Sequence, residues 1–233
     1  MSVAIVRHDR LDLTFAPKAW PFAQERRAEI DAWFAAGQRE NPALWNGRVL
    51  LLHDYAVRDG VFRGQYLETD FASFAAWRDW GRPPAAIHDC FAAAAILTAD
   101  RAFLLGVMGP HTANAGYTYF PCGTPDRDDI VGGRVDLDVS VRRELKEETG
   151  LDIAEFTAEP GWSTVFELPL IAHIKVLRSR QSAEQIRARI LDYLAGEKQP
   201  ELSDIRIVRS PADFEPAIRS WATAFLVQRF AVR

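Results

Sequence analysis

The chain has 233 residues, 48% of them hydrophobic, and a formal net charge of −4. That is enough apolar material for one large core or two small ones. The acidic balance leaves no electrostatic footprint for a nucleic-acid backbone, and no stretch approaches the roughly 20 apolar residues of a membrane span. The two cysteines, Cys90 and Cys122, have neither zinc-site spacing nor the pattern of a disulfide framework. Arg7, Asp9 and Arg10 put charges where a signal peptide needs an apolar run, so a reducing cytoplasm is the expected compartment.

Leu11 to Phe15 alternates apolar and polar, the period of a half-buried strand. Phe22 to Phe34 reads as a helix with Phe22, Ile30, Trp33 and Phe34 on one stripe, stopped by Gly37 and Asn41-Pro42. Val49, Leu51, His53 and Tyr55 share a strand face, Asp59-Gly60 signals a hairpin, and Val61 to Leu67 returns. Thr69 or Asp70 can cap a helix carrying Phe71, Phe74 and Trp77 and ending near Trp80-Gly81. Pro83-Pro84 marks a boundary, so residues 1–87 are expected to form a small α+β extension. Its aromatic content suits either a core of its own or the interface of a homodimer.

Cys90 to Leu97 is continuously apolar, as in a strand buried on both faces. Phe103 to Val107 returns from a turn at Ala99-Asp100-Arg101. Gly109 to Gly116 is a loop by composition, and Tyr117 to Phe120 a short strand. A helix begins near Asp136 or Asp138 and is closed by Gly150. Thr164 to Val176 holds a strand interrupted at Pro169. Ala183 to Leu194 is helical by the spacing of Ile186, Ile190 and Leu194. Ile205 to Val208 is a brief strand, and Phe214 to Phe230 a final helix.

The chemistry concentrates on the helix closed by Gly150. Glu144, Glu147 and Glu148 fall on one arc of a 3.6-residue helix, where like charges destabilise by roughly 0.2–0.5 kcal/mol per pair. A merely solvated helix would alternate signs, so three acids on one arc call for a cation between them. Hard divalent ions prefer such carboxylate oxygens. The plainer reading is a charged surface with Arg143 and Glu147 paired at i,i+4.

Arg143, Glu144, Leu145, Glu147, Glu148, Gly150 and Leu151 resemble the second half of the Nudix box, the motif of metal-dependent hydrolases that cleave a diphosphate linking a nucleoside to another group. The first half departs from the family spacing. Val135 stands where a glutamate is expected, and Gly123 lies about six residues too far upstream. Thr124 to Gly133 therefore looks like an insertion, with Asp136 or Asp138 in place of the missing acid. In the family that acid pairs with the box arginine. The resemblance implies an α/β/α sandwich with a mixed sheet over residues 88–233, preceded by the α+β extension. Asn41 to Gly47, with Thr69-Asp70-Phe71, loosely resembles the N-terminal extension of Nudix enzymes that cleave UDP-sugars; a structural turn is the plainer reading.

The resemblance further implies Glu144, Glu147 and Glu148 as ligands of Mg²⁺ or Mn²⁺, with Glu148 polarising water and Arg143 orienting a carboxylate. Such enzymes often take their base from a late loop, where Glu201 is best placed and Glu167 second. His111, Asn114 and Gly123 are candidates for contact with the nucleotide, and Asp126 to Asp129 of the insertion for tuning substrate access. The expected activity is hydrolysis of a small-molecule nucleoside diphosphate derivative, such as a nucleotide sugar, with no nucleic acid or membrane as partner. Coenzyme A or a dinucleotide is the competing substrate, and a Nudix-like module that binds a nucleotide without cleaving it is the competing class.

Overall fold

A computed structural model describes residues 3–42, 44–84 and 86–231. It opens on strands β1 (Ala4–His8) and β2 (Arg10–Phe15). β2 covers the expected alternating stretch; β1 carries no such pattern, because its place is fixed by a partner far along the chain. The helix expected over Phe22–Phe34 is two helices, α1 (Pro21–Glu25) and α2 (Arg27–Glu40). They part at Arg26, whose φ of −104° and ψ of 18° leave the helical region. Gly37 does not stop α2, since the amide of Asn41 still donates to its carbonyl at 2.8 Å. Of the Asn41–Gly47 stretch, Ala43 lies outside the described residues. Its end holds the start of a later helix: Asn46 Oδ1 accepts the amide of Ala72 at 2.8 Å, and the Gly47 carbonyl that of Phe71 at 2.8 Å.

β3 (Arg48–Arg58) and β4 (Val61–Asp70) form the expected hairpin. Asp59 and Gly60 take positive φ, 51° and 71°, so the turn twists with its strands. α3 (Phe71–Asp79) follows, capped by Asp70, whose Oδ1 accepts the amide of Ser73 at 2.9 Å. β5 (Asp89–Leu97) is buried at every position, as an unbroken apolar run predicts. β6 (Phe103–Met108), β7 (Thr118–Tyr119) and β8 (Cys122–Gly123) come next. The stretch expected as an insertion, Thr124 to Gly133, carries β9 (Ile130–Val131), which forms a small hairpin with β10 (Arg134–Val135) just beyond it. α4 (Leu137–Thr149) is capped by Asp136 and ends at Gly150, whose φ is 72°.

After β11 (Thr157–Ala158), the single strand expected over Thr164–Val176 is a hairpin, β12 (Trp162–Glu167) and β13 (Leu170–Arg178), turning at Leu168-Pro169. Proline lacks the amide a continuous ladder needs. α5 (Ala183–Gly196), β14 (Leu202–Val208) and α6 (Ser220–Ala231) complete the chain. α6 starts later than Phe214 because Pro211–Asp213 forms one separate 3₁₀ turn.

The architecture is mixed α/β with two sheets. The larger runs β1-β12-β13-β5-β6-β14, with β11, β7 and β8 alongside; the smaller runs β3-β4-β2-β10-β9. The β13–β5 and β2–β4 pairs are parallel, and the other pairs antiparallel. α4 packs on β5, and Phe91 of β5 meets Trp221 of α6 edge-on at 5.4 Å. The chain crosses the boundary expected near residue 87 in both directions. β1 joins the larger sheet through β12, and β10 joins the smaller through β2. Leu13, Leu50, Leu52 and Phe62 share one core with β5 and α4. Among the described residues, no helix is long and apolar enough to cross a membrane.

Candidate active site

The acidic arc lies where α4 passes over β8. Its spacing brings Glu144 and Glu148 one turn apart against the sheet, 8% and 3% exposed, while the Glu147 side chain, on the outer edge, is 61% exposed. Leu145 and Val141 point into the core, as expected. Glu148 Oε1 accepts the backbone amide of Cys122 at 2.8 Å; its Oε2 is buried without a hydrogen-bond partner. Glu144 Oε1 accepts from Arg143 Nη1 at 2.7 Å.

Gly123 has a steric reason to be glycine. A Cβ there would stand 2.1 Å from Glu144 Oε1 and 2.7 Å from Oε2. Only a bare α-carbon lets the carboxylate lie against the strand.

Arg143 ties the arc to the insertion. Its Nη2 donates to Asp129 Oδ2 at 2.9 Å, and Asp129 is fully buried. Asp129, not Asp136 or Asp138, is therefore the acid that pairs with this arginine. Asp136 is occupied as the cap of α4, and Asp138 lies 3.1 Å from Lys175. Nor do Asp126 to Asp129 line either cavity beside the arc. Asp126 caps the turn that presents Asp129, and Arg127 forms an ion pair with Glu68 of β4.

Glu201, far away in sequence, joins the arc. With Glu144, Glu147, Glu148, Tyr193 and Glu197 it lines a cavity of about 120 Å³. Burial pushes the Glu144 carboxyl up to about 7, with Glu147 and Glu201 adding repulsion and Arg143 opposing it. Burial also raises Glu148 well above the usual carboxylate range, reinforced by Glu144 and Glu201. Glu201 is raised by crowding and by Glu147, with His111 pulling the other way. His111 thus accompanies Glu201. Asn114 lines a different, larger cavity, where its Oδ1 accepts from Arg219 Nη2 at 3.0 Å. Glu167 lines that same cavity, its carboxylate held by the Ser220 hydroxyl at 2.7 and 2.8 Å.

As the side chains stand, no three acids, histidines or cysteines among the described residues converge into a ready cation cage. Arg143 draws Glu144 to one side, and Glu147 turns outward. The donors available to a divalent cation are Glu144, Glu147, Glu148 and Glu201. The unpartnered Glu148 Oε2, next to acids that repel it, fits a hard cation chemically. Sequence reasoning gave Asp129 a role in substrate access and not the pairing with Arg143, and it missed Glu197 and the larger cavity's Asp89, Arg82 and Arg219. A charge opening an apolar run was the one visible sign of Asp89.

No family model matches the chain, and no curated protein does. Nudix hydrolases stand among the solved structures it resembles. A Nudix hydrolase from M. smegmatis, RenU, has 14% identity and a TM-score of 0.40, covering 62% of this chain and 86% of that one. An Ap4A hydrolase of C. elegans in a binary complex has 16% identity and a TM-score of 0.34, covering 51% and 79%. A bifunctional NMN adenylyltransferase/ADP ribose pyrophosphatase of Francisella tularensis, complexed with AMP and a Mn ion, has 13% identity and a TM-score of 0.39, covering 68% and 44%.

Proposed function

We propose that this chain is a divalent-metal-dependent hydrolase of a diphosphate that joins a nucleoside to another group. One observation carries the reading: a buried carboxylate oxygen of Glu148 has no partner in the protein and is surrounded by other acids. Ionising a buried carboxyl without a partner costs several kcal/mol, and a cation bound at such oxygens removes that cost. Mg²⁺ or Mn²⁺, held by Glu144, Glu148 and Glu147, would neutralise diphosphate charge and acidify water.

The chain's own groups have separate tasks. The Cys122 amide fixes one Glu148 oxygen, leaving the other free. Arg143, itself anchored on Asp129, sets the position of Glu144. Water adds to one phosphorus, the bridging P–O bond breaks, and the water's proton passes to a carboxylate. Glu201 is assigned as the acceptor because it lines the same cavity as Glu144 and Glu148, and burial and Glu147 raise its carboxyl, which favours taking up a proton.

A module that binds a nucleotide without cleaving it is the second reading, favoured by the outward turn of Glu147. The two are separated by incubating the purified protein with Mn²⁺ and nucleotide sugars, coenzyme A, dinucleotides and nucleoside triphosphates. Release of a nucleoside monophosphate or phosphate that is lost in Glu148→Gln supports hydrolysis. Binding without release from any of them supports the module.

A further inference from the structure

The acidic arc has a cavity on each side. The smaller holds the acids, and the larger, about 240 Å³, begins at Cys122 and Gly123, the residues that touch Glu148 and Glu144. It extends to Asp89 at the start of β5, the aromatic rings of Phe91 and Trp221, and Arg82 beyond the end of α3. Its volume falls below the roughly 300–1,000 Å³ of a pocket for a whole drug-sized ligand. One ring fits, while the rest of the substrate continues along the arc.

Two residues of this cavity look arranged for a ligand. Asp89 is a 7% exposed carboxylate whose nearest cation, Arg82 Nη2, is 3.9 Å away, beyond hydrogen-bond reach. Arg82 is held at φ 53°, a left-handed conformation uncommon outside glycine, and its Nε is buried without a partner. That φ closes the turn after α3, where the Arg82 amide donates to the Trp77 carbonyl at 2.8 Å, and the buried, unpartnered Nε is the feature a ligand would complete. The neighbouring rings decide what sort of ring enters. Phe91 and Trp221 meet at 75°, and Phe71 and Phe74 at 69°, so neither pair forms parallel walls that could sandwich a flat base. Aromatic rings set at such angles, with carboxylates, guanidinium groups and the hydroxyl and amide groups of Thr124 and Asn114 among them, suit a puckered ring bearing hydroxyls.

We infer that the larger cavity is a sugar-ring subsite, in which Asp89 accepts hydrogen bonds from vicinal hydroxyls of the substrate and Arg82 donates to their oxygens. The inference rests on the reading of Glu144 and Glu148 as the reacting end. It adds a specificity role for a residue contributed by the first segment of the chain. The ring is either the ribose of the nucleoside or a hexose beyond the diphosphate.

The test is calorimetric titration of the full chain in EDTA, where turnover is absent, with each variant compared to wild type on the same probe so that repulsion by the acidic arc cancels. The probes are UDP-glucose, UDP and 2′,3′-dideoxy-UDP, and the proteins are wild type, Asp89→Asn and Arg82→Gln, each checked by thermal melting. A hexose in the cavity makes both variants bind UDP-glucose at least tenfold more weakly and UDP unchanged. A ribose there makes them weaker for UDP-glucose and UDP alike, with 2′,3′-dideoxy-UDP unchanged. Wild type that binds none of the three, or variants that match it on all of them, overturns the subsite. Arg82, half-buried in a turn outside the core, keeps the test decisive if Asp89→Asn does not fold. Because binding is read without metal, the subsite can fail while hydrolysis stands, and hydrolysis can fail while the subsite stands.

Discussion

Gly123→Ala isolates the contact between β8 and the acidic arc. Gly123 carries no left-handed φ, so alanine is allowed by the backbone and only the space is in question. The new methyl group would stand 2.1 Å from Glu144 Oε1, against 3.4 Å or more for an ordinary contact, so the carboxylate must retreat by more than 1 Å. Glu144 has little room to do so, being buried and bonded to Arg143 at 2.7 Å. Overpacking of this kind typically costs about 1–3 kcal/mol. Displacing a catalytic group by about 1 Å can slow turnover on the order of 10²-fold. The assay pairs urea unfolding with Mn²⁺-dependent release of nucleoside monophosphate. A variant as stable and as active as wild type would refute the claim that this glycine makes room for Glu144.

Four further outcomes are expected. Glu148→Gln lowers turnover by roughly 10²-fold or more while the protein stays folded, read from kcat and from circular dichroism. Glu201→Gln lowers kcat on a similar scale and leaves KM nearly unchanged; a change confined to KM would remove it from the role of base. Asp129→Ala leaves Arg143 to Glu144 and Asp126 and removes one charged hydrogen bond, costing about 1.5–3 kcal/mol in urea unfolding, and a loss near zero would mean that the pair is idle. In metal-free protein the raised carboxyls of Glu144 and Glu148 bind protons more tightly folded than unfolded. Their contribution is complete below the unfolded value of 4.5 and is lost as pH rises through about 7 for Glu144 and higher for Glu148. The melting temperature of Glu144→Gln relative to wild type should therefore rise between pH 4.5 and 8, and a flat difference would contradict the burial of that charge.

The elements legible in the sequence are those whose cause is local. Asp59-Gly60 dictated its hairpin, Asp70 and Gly150 their helix ends, and the run after Asp89 a fully buried strand. The arc of Glu144 and Glu148 was legible for the same reason, since helical spacing alone puts them together. The placement of β1, the β9–β10 hairpin and Asp129 depends on partners distant in sequence, and no local pattern announces them. Periodicity predicts that Glu147 shares the arc, but not that it turns outward. Only the packing of α4 against β5 and β8 decides which edge of the arc is covered.

The pairing of Ala4 with Phe166 also bears on how the molecule is made. A ribosome delivers the first strand long before the hairpin that receives it, so that strand has to wait, unpaired, through most of synthesis. Closing so long a loop is entropically costly and slow. Docking of the amino-terminal strand is therefore expected among the last steps of maturation, a clasp fastened once the body it holds already exists.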